Sequence, residues 1–155
     1  RRSTNMSSST LMMAMLRGCD TGDESILAAV VKNGWHPDTP RAEGETALVL
    51  SALGGLNQAT NMLLKYGASP TKGCKSNGLM LNPLVAACQS GHAEVARTLL
   101  QGDADVDQYT AQNTPLTAAV RTGNIAIVEM LAKYNPHVDR VVDEDNAAET
   151  ALHIA

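Results

Sequence analysis

The sequence has very few aromatic residues. Among its 155 residues there is no Phe, one Trp and three Tyr, so aromatics make up 3% of the chain. A thick core between two layers normally uses such large rings, because each of them buries a large apolar area. Apolar residues nevertheless make up 44% of the chain. We therefore expect many short helices that pack closely at Ala, Leu, Val and Met.

Positive charge and long apolar runs are lacking as well. There are 12 Lys and Arg against 16 Asp and Glu, which gives a net charge of -4. Nucleic-acid-binding domains cluster Lys and Arg on one face, so we expect no nucleic-acid partner. Gly, Lys or Asn interrupts each apolar run before the roughly 20 residues of a membrane-spanning helix, which predicts no membrane insertion. The polar, Ser-rich first residues lack the apolar centre of a signal peptide.

The sequence contains only three cysteines, and their spacing matches no disulfide or metal-binding motif. Cys19, Cys74 and Cys88 form an odd set without a CxxC spacing, so the sequence indicates neither a disulfide framework nor a zinc site. This favours a reducing compartment, and we expect an intracellular protein of the cytoplasm or the nucleus. No base can be assigned to any of the three thiols, and Cys88 is interpreted as a small core residue.

Other signals of chemistry are also weak. The histidines, His36, His92, His137 and His153, have no carboxylate or Cys at metal-ligand spacing. The Gly-rich segments 53–55 and 72–78 lack the spacing of a phosphate-binding loop and are interpreted as turns. We therefore predict no catalytic residue, no metal, no cofactor and no small-molecule substrate.

A short pattern recurs along the chain and predicts its architecture. The last six residues, 150–155, begin with Thr-Ala-Leu, and similar triplets begin at Thr46, Asn82 and Thr114, at spacings of 36, 32 and 36 residues. Such a period is typical of stacked supersecondary units that bury their apolar faces only against neighbours. The sequence therefore predicts a solenoid whose last unit is incomplete.

One copy shows how each unit should fold. Asn82 is a good cap for a helix from Pro83 to about Ser90, Gly91 suits the reversal that follows, and a second helix should begin near Ala93. After the second helices come residues that tolerate a left-handed backbone, namely Gly34, Gly67, Asp103 and Asn135. Each unit is thus predicted to be a pair of antiparallel helices.

These units resemble the ankyrin repeat. The family pattern of Thr-Pro-Leu-His-x-Ala, Gly-His, a helix with Val and a Leu-Leu pair, and a final turn is matched here by Pro83-Leu84, Gly91-His92, Val95, Leu99-Leu100 and 104–107. The resemblance implies an all-α solenoid of stacked helix-turn-helix units joined by β-turn or hairpin fingers. After a flexible segment, 1–9, the array should cover 10–155. Its predicted units are a divergent repeat at about 10–43 with extra residues around Cys19 to Thr21, then 44–79, 80–111, 112–147, and a truncated unit at 148–155.

The family histidine of the first helix is the main departure from the pattern. It is present only as His153, whereas Val49, Val85 and Thr117 occupy its place elsewhere. We therefore expect its hydrogen bond to the backbone to be missing in the middle repeats. The resemblance also assigns His92 to a structural position. Trp35 is expected to pack at the edge of the first repeat.

The resemblance implies a non-catalytic module that binds a partner protein through a concave groove and its fingers. On finger position, the predicted partner-binding residues are Met80, Asp107, Tyr109, Arg140 and Asp143. The apolar triplet 79–81 either anchors a partner or packs on the next finger. The acidic residues of the later fingers either steer a basic peptide or keep the array soluble.

A second function stays open beside the first. Arrays of this family are commonly attached to larger proteins, so the chain is alternatively a regulatory or targeting segment of a kinase, a ubiquitin ligase or an ion channel. The chain neither begins with Met nor completes its final helix, and we expect it to be a fragment.

Overall fold

The computed structural model describes residues 8–41, 44–76, 78–110, 112–134 and 136. Within these ranges the chain forms eight helices and two short strands. They are α1 (Ser8–Asp20), α2 (Glu24–Lys32), α3 (Ala47–Gly54), α4 (Asn57–Lys65), β1 (Cys74–Ser76), β2 (Leu79–Leu81), α5 (Pro83–Ser90), α6 (Ala93–Gln101), α7 (Pro115–Thr122) and α8 (Ile125–Ala132). Successive helices pair within each repeat, so the predicted helix-turn-helix solenoid is confirmed.

Local side chains determine where the first helix of each repeat begins. The side chains of Thr46, Asn82 and Thr114 accept hydrogen bonds from backbone N–H groups three residues ahead, at 3.3, 2.8 and 3.1 Å. Proline occupies the start of both α5 and α7, where its missing N–H leaves no intrahelical bond unmade. The starts of these helices are therefore determined by neighbouring residues in the sequence.

Glycine determines where the same helices end. Gly55, Gly91 and Gly123 cap α3, α5 and α7 with left-handed φ angles of 70°, 75° and 67°. This conformation closes the helix and lets the chain reverse into the second helix of the pair, which begins two residues later. The turn predicted at Gly91 is confirmed, and the same turn recurs at Gly55 and Gly123.

The core runs along the stack and consists of small residues at the first helices and leucines at the second. Ala52 in α3, Ala87 in α5 and Ala119 in α7 are fully buried, and α5 packs against both α3 and α7. Leu63 and Leu99, in the second helices, are fully buried as well. This division explains why the chain needs so few aromatic residues.

The first repeat differs from the others at its first helix. α1 has 13 residues, whereas α3, α5 and α7 have eight each. It begins at Ser8, so the helix starts inside the segment predicted to be flexible. The extra residues around Cys19 lengthen this helix, and the turn follows at Gly22 with a φ of 75°. Trp35 is 8% exposed and packs into the core, as expected.

The expectation of a missing hydrogen bond is wrong for Thr117, though not for Val49 and Val85, whose side chains have no polar atom. The side chain of Thr117 accepts a hydrogen bond from the Thr114 N–H at 2.8 Å and donates one to the Thr114 carbonyl at 3.0 Å. Together with the bond from the Thr117 N–H to the Thr114 hydroxyl, this forms a capping box. The Thr117 hydroxyl therefore makes a hydrogen bond to the backbone at the position where the family histidine is absent.

Polar side chains also connect one repeat to the next. His92 lies with its Nε2 3.1 Å from the Leu53 carbonyl oxygen of the preceding repeat. In the following repeat, the Asn124 side chain donates to the Gly91 carbonyl at 3.2 Å. The structural position assigned to His92 is thus confirmed. The unit predicted at 148–155, which contains His153, lies outside the described residues. Two further residues named above, Asn135 and His137, lie outside them as well.

Candidate partner-binding surface

The segments that connect the repeats form a row of three projections. We call them finger 1 (34–46), finger 2 (67–82) and finger 3 (103–114), and the statements below concern their described residues. Each begins at a residue with a positive φ, which is 90° at Gly34, 92° at Gly67 and 65° at Asp103. Asp103 is the one residue other than Gly with a positive φ in the described part of the chain. The left-handed backbone turns the chain away from the second helix, as the residue types predicted.

Finger 2 is the longest of the three and contains the β hairpin. It contains 16 residues from Gly67 to Asn82, compared with 13 from Gly34 to Thr46 and 12 from Asp103 to Thr114. Strands β1 and β2 are antiparallel and pair Cys74 with Leu81, Lys75 with Met80 and Ser76 with Leu79. Two residues, Asn77-Gly78, separate the strands, and Gly78 has a φ of 81°. Asn-Gly between two short strands is a strong sequence signal for a hairpin, and it could have predicted this one.

The hairpin is buried at its base and exposed toward its tip. Cys74 is 6% exposed, and Leu81 is half-buried against the core. Leu79 and Met80 are each 45% exposed. Leu81 therefore packs against the core, whereas Leu79 and Met80 face solvent in part, and their role as anchors of a partner stays a prediction.

Finger 1 supports one side of the hairpin at very short range. A Cβ atom built on Gly44 would lie 2.7 Å from the Lys75 carbonyl oxygen, which is closer than side-chain carbons approach backbone oxygens. Gly44 also has a φ of 95°. Both its backbone conformation and its surroundings therefore require glycine.

Hydrogen bonds join finger 1 to finger 2. The Ser69 N–H donates to the Asp38 carboxylate at 2.9 Å, and the Lys72 ammonium donates to the Asp38 carbonyl at 3.1 Å. These bonds connect residues more than 30 positions apart in the sequence. They hold the base of finger 2 against its neighbour.

Finger 2 is joined to finger 3 in the same way. The Asn82 side chain donates to the Gln108 carbonyl at 3.2 Å, and the Gln108 side-chain amide donates to the Thr71 carbonyl. The Asn82 side chain uses its other atom, Oδ1, to cap α5. The three fingers therefore form one connected surface that is anchored to the helices.

Charge is distributed unevenly along this surface. Lys72 and Lys75 on finger 2 are exposed, as are Asp103 and Asp105 on finger 3. The Asp105 carboxylate accepts a hydrogen bond of 2.9 Å from the backbone N–H of Asp107, which shapes the turn of finger 3. A partner would thus meet positive charge at finger 2 and negative charge at finger 3.

Three of the five predicted site residues lie on two of the fingers. Met80 is on finger 2, whereas Asp107 and Tyr109 are on finger 3, where Asp107 is half-buried and Tyr109 is 56% exposed. Arg140 and Asp143 lie outside the described residues. Because no partner is present, the role of all five in binding stays a prediction.

The cysteines are poorly suited to nucleophilic chemistry. Cys19, Cys74 and Cys88 are free and buried. Burial raises the pKa of each thiol, and it raises that of Cys88 to about 12. At neutral pH the reactive thiolate is therefore scarce at all three positions.

Two other features of the described residues concern metals and membranes. In the described residues, no three or more His, Cys, Asp or Glu side chains cluster where they could bind a metal ion together. His36 is exposed, and its Nδ1 accepts a hydrogen bond from the Asp38 N–H at 3.1 Å. No helix in the same ranges has the length and apolar character needed to span a bilayer.

Known proteins resemble this chain across its repeats. The inactive serine/threonine-protein kinase TEX14 of Bos taurus is 27% identical over 117 residues, which are 73% of this chain and 8% of that protein. The ankyrin repeat and KH domain-containing protein 1 of Homo sapiens is 39% identical over 74 residues, or 47% of this chain and 3% of that protein. The potassium channel AKT2/3 of Arabidopsis thaliana is 27% identical over 136 residues, or 87% of this chain and 16% of that protein.

The chain thus spans only a small part of each of these relatives. Family models match more completely. A model of three ankyrin repeats matches residues 11–110, and a model of a single ankyrin repeat matches residues 112–143. Ankyrin repeats generally serve as protein–protein interaction modules without catalytic activity. Repeat period, helix pairing, finger geometry and these matches agree, and the chain belongs to the ankyrin repeat family.

Proposed function

We propose that this array binds a segment of another protein on the surface formed by its fingers and first helices, and that it does so without catalysis. The observation that carries the proposal is the exposure of Leu79, Met80 and Tyr109 on fingers that are joined to one another. Large apolar side chains on a rigid support are typical anchors of protein interfaces, because little conformational entropy is lost when they bind.

We propose that the array has no catalytic activity because its cysteine thiols, the candidate nucleophiles, are poorly suited to react. Each thiol is buried with a raised pKa, and an active cysteine needs the opposite. We also propose a reducing location, in the cytoplasm or the nucleus. Free cysteines that form no disulfide among themselves are consistent with such a compartment.

The array is also proposed to act within a longer polypeptide. The inactive serine/threonine-protein kinase TEX14 and the potassium channel AKT2/3 are far longer than the segment that matches this chain. In such a protein the array would recruit or regulate through its partner. Sequencing the complete transcript would test this second role, and an open reading frame that ends at both limits of the array would contradict it.

The binding proposal is tested with a purified partner and matched variants. A partner retained by the immobilised chain is identified, purified and titrated against Met80→Asp and Tyr109→Ala. Because central anchor residues contribute about 1–2 kcal/mol or more, we expect each variant to weaken binding by roughly tenfold or more. Circular dichroism confirms that the variants remain helical.

Two controls have similar side chains elsewhere on the array. Tyr134 is 44% exposed after α8, and Ile125 is 71% exposed at the start of α8. Tyr134→Ala and Ile125→Asp should leave the dissociation constant within about twofold of the original. The proposal is wrong if the finger variants bind normally while the α8 controls lose affinity.

A further inference from the structure

The outer edge of β2 presents backbone groups of Met80 that are not paired with another described residue. Ser76 and Leu79 are the last pair of the ladder and lie only three positions apart in the sequence, so they form a hydrogen-bonded pair. Lys75 and Met80 are therefore a non-hydrogen-bonded pair. The N–H and C=O of Met80 therefore point away from β1. No backbone hydrogen bond involving Met80 occurs with any other described residue.

The opposite edge of the hairpin confirms this geometry. The same pairing directs the Lys75 carbonyl away from β2, and this carbonyl is the oxygen that lies against Gly44 of finger 1. One edge of the hairpin is therefore occupied by finger 1. The other edge is joined to finger 3 at Asn82, and among the described residues no backbone hydrogen bond covers it at Met80. Open strand edges are templates for the addition of another strand.

The two faces of the hairpin have different chemistry near the tip. Because side chains alternate along a strand, Leu79 and Leu81 lie on the same face as buried Cys74, and Met80 lies with Lys75 on the other. On one face, the side chains of an added strand would lie beside Leu79 and Leu81. On the other face, they would lie beside Met80 and toward the ammonium group of Lys75.

The local charge decides between possible occupants. Lys75 is exposed and is not among the ion pairs formed within the described ranges. Nearby Lys72 donates to the Asp38 carbonyl, while the Asp38 carboxylate accepts from Ser69. Arg41 and Glu45, on finger 1, offset each other at 3.8 Å. A second copy of this chain would bring lysines together at finger 2. Acidic residues of a bound segment would complement Lys75 where they face finger 2 and not the exposed Asp103 and Asp105 of finger 3.

We infer that the edge of β2 at Met80 binds an extended segment of the partner by strand addition, and that this segment alternates apolar and acidic residues. The inference rests on the proposed function and specifies the chemistry of the partner. Apolar residues of the segment lie beside Leu79 and Leu81, and acidic residues lie on the face of Met80 and Lys75. Backbone hydrogen bonds to Met80 fix the register.

The probe is a synthetic peptide of alternating Glu and Val, with capped ends, titrated into the isotopically labelled chain. Strand addition places the Met80 N–H in a hydrogen bond, so its exchange with solvent should slow on saturation by about tenfold or more. A peptide with Lys in place of Glu should bind more weakly. This measurement needs no substitution and therefore does not depend on whether a variant folds.

Variants separate the backbone contribution from that of the side chain. Met80→Pro removes the outward N–H, and proline is tolerated at such an edge position because this group makes no bond within the hairpin. Met80→Ala removes the side chain alone and serves as its control. Peptide affinity should fall further in Met80→Pro than in Met80→Ala, and Lys75→Glu should weaken it by roughly three- to tenfold.

Several results would overturn the inference. They are unchanged exchange of the Met80 N–H at saturating peptide, equal affinity of Met80→Pro and Met80→Ala, or tighter binding of the Lys peptide. Chemical shifts of the hairpin that depend on protein concentration would show that a second copy occupies the edge. If the purified partner still requires Met80 and Tyr109 in any of these cases, the proposed function stands and strand addition alone is wrong.

Discussion

Replacing Gly44 with Ala should destabilise the protein much more than the same replacement at Gly67. Both residues have left-handed backbones, with φ of 95° and 92°. They differ in their surroundings. A Cβ on Gly44 would lie 2.7 Å from the Lys75 carbonyl oxygen, whereas a Cβ on Gly67 would have no atom of another described residue within 4 Å. Gly67→Ala is therefore a matched control for the backbone conformation alone.

The magnitudes follow from these two contributions. A left-handed alanine is less favourable by about 1–2 kcal/mol, and lower entropy of the unfolded chain returns about 0.4–1 kcal/mol. Gly67→Ala should thus lower the free energy of unfolding by about 1 kcal/mol. At Gly44 the steric overlap adds about 1–3 kcal/mol, as overpacking of a closely packed site does, for a total near 2–4 kcal/mol.

Urea titrations monitored by circular dichroism would measure both free energies, and hydrogen exchange would locate the change. We expect faster exchange at the hairpin in Gly44→Ala, because the contact with Lys75 must open before the methyl group fits. Equal destabilisation by the two variants would refute the reasoning, since it would show that the close approach of finger 1 to the hairpin has no energetic weight.

Three further predictions concern the core and the helix caps. The free energy of unfolding should fall as the pH rises from 9 toward 12, because the buried Cys88 thiol, with its pKa raised from 9.0 to about 12, retains a proton that the unfolded chain loses; Cys88→Ala should flatten this slope in urea titrations at each pH. Leu99→Ala should lower stability by about 2–5 kcal/mol because Leu99 is fully buried, whereas Ile125→Ala should stay within about 0.5 kcal/mol in the same assay. Thr117→Val should lower stability by about 1 kcal/mol, since it removes the hydroxyl from the capping box of α7, and an unchanged thermal midpoint would contradict this.

Much of the fold was predictable because it is encoded locally. The cap at Asn82, Pro83 at the start of α5 and Gly91 at its end are close in sequence, so the helix could be placed from these residues alone. The same choices recur at a regular period, which predicts stacking. The prediction for Thr117 was wrong because it treated the position only as the site of an absent histidine and overlooked the capping capacity of a hydroxyl.

The surface was less predictable because it depends on contacts between distant residues. Finger 2 could be recognised as long, and Met80 and Tyr109 could be expected at the surface. The hydrogen bonds of Gln108 with finger 2, and the approach of Gly44 to Lys75, join residues more than 25 positions apart. Such contacts have no short sequence signal, so the distinction between a covered and an open edge of the hairpin emerged only from the structure.

Cys74 at the base of the hairpin makes the motion of finger 2 measurable without an engineered cysteine. Its thiol is 6% exposed and is covered while β1 and β2 stay seated on the protein. Iodoacetamide should therefore alkylate it only during brief excursions in which the hairpin lifts, and the alkylation rate at Cys74 counts those excursions. A ligand that clamps the hairpin would slow this modification, giving a mass-spectrometric readout of occupancy.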